Sequence, residues 1–131
     1  MATHNYLDTA SAKAASDLSA KQYYAVKLTA ADTVDAIAAA TDRVAGILVN
    51  KPKQGQAATV VTAGVCECVS NGGGTAIAVG DLVGPDATGK MVKKATADFN
   101  ACGVAHDASA ADGVVIRVRL NLDTLFRAAL G

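Results

Sequence analysis

The stretch Val114-Val115-Ile116-Arg117-Val118-Arg119-Leu120-Asn121 decides the fold class. Val114, Ile116, Val118 and Leu120 alternate with Val115, Arg117, Arg119 and Asn121. Successive side chains of a strand point to opposite faces, so this order gives one apolar and one polar face. It predicts a half-buried β-strand. Working back along the chain, Ala101–Ala105, Met91–Ala95, Leu82-Val83 and Ala76–Val79 are short apolar runs separated by Gly, Asp, Asn or Pro. Before the loop Asn71-Gly72-Gly73-Gly74 come Val65–Val69, then Gly64, then Ala57–Thr62. Arg43–Val49 ends in Gly46-Ile47-Leu48-Val49 and stops at the turn Asn50-Lys51-Pro52 with Gly55. Tyr23–Leu28 is aromatic and β-branched, and it reads as a further strand. Val34–Ala40 stays open between helix and strand, because alanines favour a helix while its surroundings are strands. So many short strands at close spacing predict a mainly β fold, a compact β-barrel or sandwich.

The ends differ from this middle. Residues 1–20 are rich in Ala, Ser, Thr and Asp and read as an N-terminal arm, or as a helix around Ala10–Leu18. Its apolar spot is Tyr6-Leu7. In the tail, residues 121–131, the period changes: Leu122, Leu125, Phe126, Ala129 and Leu130 share one helical face. Such a short helix or tail needs a surface to dock on. The expected organisation is an arm over 1–20, a β domain over 21–120 and a tail over 121–131.

The β domain also echoes itself. Val44-Ala45-Gly46-Ile47-Leu48-Val49 leads through a polar turn at Gly55 into Thr59-Val60-Val61. Ala101-Cys102-Gly103-Val104-Ala105 leads through a polar turn at Gly113 into Val115-Ile116-Arg117-Val118, about 57 residues later. An internal duplication and a chance recurrence of hairpins both fit this pattern.

Composition narrows the function. Twelve basic and twelve acidic residues cancel, and no basic stripe marks a nucleic-acid surface. No apolar run is long enough to span a membrane as a helix, and the start lacks the basic-then-apolar order of a signal peptide. Three cysteines, two of them at Cys66 and Cys68 on one strand face, do not make a disulfide framework. They read as small buried apolar side chains from a reducing site of synthesis. The apolar half of the chain is mostly Ala and Val, with no Trp, three Tyr and two Phe. A core of small side chains gains less from burial, which favours assembly with other copies or a larger partner.

No catalytic constellation emerges. Gly84-Pro85-Asp86-Ala87-Thr88-Gly89-Lys90-Met91 matches the glycines and lysine of a phosphate-binding loop, but Met91 stands where Ser or Thr would hold Mg²⁺. The following residues are too short and β-prone to supply the helix N-terminus that binds phosphate. A hairpin turn is expected instead. Lys90 also lacks the flanking residues of a lysine that carries biotin or lipoate. His106-Asp107 opens a turn, His4 lies in the arm, and Cys66, Cys68 and His106 lack the spacing of a structural zinc site. No metal and no cofactor are expected, nor an enzyme.

With chemistry set aside, three segments carry a resemblance: Tyr24–Leu28, Asp42–Pro52 and Gly55–Val60. The second half adds Ala78–Val83, a Gly-Lys turn, Cys102–Ala105 and Gly113–Val118. This pattern resembles the capsid cement, or head decoration, proteins of tailed bacteriophages over roughly three quarters of the chain. The resemblance implies a structural virion protein, made in the bacterial host cytoplasm and bound to the outer capsid surface. It implies the major capsid protein as partner, a homotrimer, and no direct contact with nucleic acid or membrane. Partner-binding residues would then be Tyr6 and Leu7 of the arm and Leu122, Leu125, Phe126 and Leu130 of the tail. The alternatives are a non-viral carbohydrate- or peptide-binding module, which would need an aromatic platform, and another virion part from a head fibre or tail.

Overall fold

A computed structural model describes residues 5–95 and 100–121. Nine strands run through them: β1 (Asn5–Ala14), β2 (Ala25–Ala30), β3 (Thr33–Ala36), β4 (Gly46–Leu48), β5 (Ala57–Asn71), β6 (Leu82–Pro85), β7 (Met91–Lys93), β8 (Gly103–Ala105) and β9 (Asp112–Asn121). Among the described residues there is no helix, so the expectation of a mainly β, barrel-like fold holds. The C-terminal helix expected over the tail lies outside the described residues.

The strands join in the order β1-β3-β2-β4-β5-β7-β6-β8-β9, and β5 pairs in addition with both β1 and β9. Those two extra pairings close the sheet twice. The first circuit is β1-β3-β2-β4-β5 and the second is β5-β7-β6-β8-β9. β5, 15 residues long, belongs to both. Gly64, expected to separate two strands, instead lies inside this one with φ of +101°, a conformation that costs glycine little. Its position lets one continuous strand serve two circuits.

Continuous apolar runs mark the wall between the circuits. Ala25, Ile47 and Val61 stand in register across β2, β4 and β5, and all three face the larger core. Their chain neighbours Val26, Leu48 and Val60 face the smaller one, with Ala14, Leu18, Val34 and Ala58. A strand buried on both faces cannot alternate apolar with polar, which is why Gly46-Ile47-Leu48 and Val60-Val61 are unbroken. The larger core collects Cys66, Cys68, Ile77, Val83, Met91, Cys102, Ile116, Val118 and Leu120. All three cysteines are buried and free. Burial, with Cys66 and Cys102 close by, pushes the Cys68 thiol well above its ordinary range and keeps it protonated.

The hydrogen-bond plan of the first circuit recurs in the second. Val26 pairs with Gly46 and Val83 with Gly103, both members 57 residues on. Tyr23 N–H donates to Leu48 O at 2.6 Å, and Gly80 N–H to Ala105 O at 2.8 Å, again 57 residues apart. In this scheme β5 is the last strand of one circuit and the first strand of the next.

Two local expectations change. The helix considered over Ala10–Leu18 is not formed, because Thr9 to Lys13 pair antiparallel with Val61 to Ala57. Helix propensity is a weak preference that ladder hydrogen bonds and packing override, and Ala14 and Leu18 are both buried against the smaller core. At the other end, the alternation of β9 holds from Ile116 to Leu120, but Val114 is 37% exposed. It lies where β9 enters the sheet, beside the register shift at Ser70/Asn71.

Candidate functional site

The turn Gly84–Met91 links β6 to β7, as a hairpin should. Asp86 Oδ1 accepts hydrogen bonds from Thr88 N–H at 2.8 Å, Thr88 Oγ1 at 2.7 Å and Lys90 N–H at 3.1 Å. A phosphate cradle needs such donors free and a positive field. Here a carboxylate of this chain already occupies them. Lys90 is tied to Asp112, Nζ to Oδ1 at 2.9 Å, so it does not stand at a tip as a carrier lysine would. Gly89 O instead accepts Ala25 N–H at 3.0 Å and fastens the turn to the first circuit. Among the described residues no group of three or more His, Cys, Asp or Glu side chains could hold a metal ion.

Asp107 follows β8 and faces β9. Its carboxylate accepts Arg117 N–H and Nε at 2.9 Å on Oδ2 and Nη2 at 2.8 Å on Oδ1. The Arg117 guanidinium, followed by its backbone N–H, lowers the Asp107 carboxyl from the usual 3.8 to about 2. A depressed carboxylate stabilises the fold above its unfolded value, and that contribution vanishes as pH falls through the folded value. Asp107→Asn should therefore melt below the parent at pH 7, with the gap shrinking between pH 4 and pH 2. The pair is about one third exposed, side chains 30% and 35%, so solvent screening keeps the effect modest. A gap independent of pH would rule out the carboxylate as its source.

A groove of about 610 Å³ runs beside the outer part of β2, lined by Lys27, Leu28, Thr29, Asp42, Arg43 and Val44. Lys27 Nζ meets Asp42 Oδ2 there at 3.0 Å. Asp42 also accepts the backbone N–H groups of Ala38 and Ala39, which with Lys27 hold its carboxyl below the usual range. Leu28 is 64% exposed beside this groove. In the second circuit Val79, Val104, Val114 and Val115 are the other large exposed apolar side chains among the described residues, and Val104 and Val115 flank the outward Arg119 and Arg117.

The residues singled out from sequence fall as follows. Tyr6 and Leu7 lie in β1, where Tyr6 pairs with Gly64. Leu122, Leu125, Phe126 and Leu130 lie outside the described residues. The structure adds Leu28 and the uncovered side of β1, which sequence reasoning missed. Leu28 continues the inward series of β2, so its pattern carries no sign of exposure. The part of β1 from Thr9 to Ala14 has small and polar side chains with no large apolar residue, so it carries little sign of a core strand.

A family model described as phage cement protein matches residues 3–120. The chain belongs to the phage cement protein family. The cement proteins are structural components of the virion associated with the capsid, and this chain shares that role. Among solved structures, the head fibre gp8.5 N base of bacteriophage phi29 is similar, at 18% identity and a TM-score of 0.64. That match covers 87% of this chain and 93% of the phi29 chain. A chain from the capsid of Myoviridae phage XM1 is similar at 20% identity and a TM-score of 0.62, over 92% of this chain and 84% of that one. At such identities the likeness is one of fold. A search of curated proteins finds no match. The cement family therefore accounts for a chain whose turns and charges serve structure.

Proposed function

We propose that this cement protein binds the outer surface of an assembled phage capsid, contacts the major capsid protein and reinforces the shell. The observation that carries the reading is the family match across residues 3–120. The small-residue cores support it, because a fold with modest burial gains stability from binding in its folded form. In this reading the protein acts as a homotrimer and catalyses nothing. Its partner-binding residues include Tyr6 and Leu7 at the start and Leu122, Leu125, Phe126 and Leu130 at the end. The test uses empty expanded capsids of the encoding phage assembled without this chain. Added protein should co-sediment with them to saturation and raise the temperature at which they fall apart. Capsids that neither bind it nor gain stability would overturn the reading. Light scattering across a dilution series reads the oligomer, and a mass of one chain at every concentration would remove the trimer from solution.

A further inference from the structure

β1 is held along one edge. Its register with β5 is unbroken from Thr9↔Val61 to Lys13↔Ala57, while its other edge meets β3 at Lys13 and Ala14. Backbone groups alternate in direction along a strand. Ala14 N–H donates to Gln56 O at 3.0 Å on the β5 side, and Lys13 N–H to Asp32 O at 2.8 Å on the opposite side. Counting back through the unbroken register, Thr9 and Ser11 turn their N–H and C=O groups away from β5. Among the described residues no strand meets them. Thr9, Ala10, Ser11 and Lys13 are exposed as well, while Ala12 and Ala14 pack on the smaller core, so the face of Thr9, Ser11 and Lys13 is the bare one.

The second circuit shows what such an edge accepts. There β5 takes the place that β1 has in the first. Gly64 and Val65 pair with β1 on one edge and with β9 on the other, and Ser70 pairs with β7 opposite β9. On β5, then, the edge facing β7 is covered further along by an antiparallel strand, β1 itself. The corresponding edge of β1, facing β3, lacks that cover. Edge strands of monomers are ordinarily guarded by charge, proline or a bulge. Thr9-Ala10-Ser11-Ala12 has neither charge nor proline; the register shift between Asp8 and Thr9 ends where it begins, and Asp8 and Lys13 bound it.

We propose that the outer edge of β1, at Thr9 and Ser11, takes one extended segment of the capsid subunit as an added strand. This rests on the capsid-binding reading. The length of edge decides the occupant. A ladder on two outward residues falls far short of the roughly 1,200–2,000 Å² that a stable free dimer buries. On a shell, other contacts hold the segment close, and a short ladder then adds to them at high effective concentration. Small or β-branched uncharged side chains suit it, because Thr9 to Ala12 offer neither charge nor depth.

Ser11→Pro tests this, since it removes an outward N–H and no bond to β5, a place where edge strands tolerate proline. The variant should melt within a few degrees of the parent. Its affinity for the empty expanded capsids should fall about tenfold or more, the scale of one to two hydrogen bonds. Parental protein that fails to bind would sink the capsid reading itself. Parental binding with equal binding by Ser11→Pro overturns the edge proposal and leaves the capsid reading standing. Should the proline variant unfold, hydrogen exchange of the parental segment 5–14 decides. Amides of Thr9 and Ser11 that exchange freely in solution and slow on capsids support the proposal, and unchanged exchange overturns it. Amides already slow in solution, and freed by dilution, would give the edge to a second copy and also overturn it.

Discussion

Gly46→Ala is expected to lower Tm by roughly 10–15 °C, and Gly103→Ala to do nearly the same. A Cβ at Gly46 would sit 2.2 Å from Val60 Cγ1 and 2.6 Å from Val61 O. At Gly103 it would sit 2.3 Å from Arg119 O and 2.7 Å from Val118 Cγ1. Both contacts are far inside van der Waals range, and in each a main-chain carbonyl of the paired strand is the obstacle. A side chain could rotate away, but the carbonyl belongs to the ladder and cannot move without breaking pairs. Overpacking costs about 1–3 kcal/mol in a well-packed core, and this geometry places both variants at the upper end. Gly74→Ala is the control, since its added Cβ would meet nothing within 4 Å. Thermal melts of the three variants check the claim. A Gly46→Ala protein that melts with the Gly74→Ala control would mean that β4 and β5 do not approach so closely.

These two glycines also explain how far the fold could be read in advance. Gly46 and Gly103 anchor the two halves of the sequence echo, and both sit where a short strand crosses close to its return strand. The echo was visible because steric closeness removes every residue but one. Ile116, Val118 and Leu120 were legible for a different reason: β9 has one buried face there, so period two is written openly. The first strand was not legible. Ala10, Ala12 and Ala14 do alternate with Thr9, Ser11 and Lys13, and Ala12 and Ala14 meet the smaller core, but alanine is a weak apolar marker that favours helix as readily as strand. Gly64 misled in the opposite direction, since a glycine that lets a strand continue past a bend looks like one that ends it. Of the candidate surface, the phosphate-loop likeness could be dismissed from Met91 alone. Leu28 and the bare edge of β1 could not be found, because exposure follows from which strands stop short, and that is a property of the whole sheet.

Removing residues 2–14 is expected to destabilise the whole first circuit and not to release a detachable arm. The deletion strips β5 of its partner from Ala57 to Val65 and takes away the β1–β3 contact at Lys13 and Ala14. It also opens the smaller core, where Ala14 packs with Leu18, Val34 and Ala58. Among the described residues that core holds seven buried side chains, none larger than leucine, so it has little burial energy in reserve. Opening a circuit there exposes apolar surface and leaves five or more ladder pairs unmade, which together should cost several kcal/mol. The truncated protein should melt more than about 15 °C below the parent. Its amide protection should fall across residues 25–61 more than in β6 to β9, because the larger core draws mostly on the second circuit. The deletion therefore separates two roles for the N-terminus that sequence alone leaves together. A truncated protein that melts like the parent and loses capsid binding would make residues 1–14 an arm. A truncated protein that loses its first circuit makes β1 a structural strand, and among the described residues its outer edge at Thr9 and Ser11 is the part the edge proposal assigns to a shell.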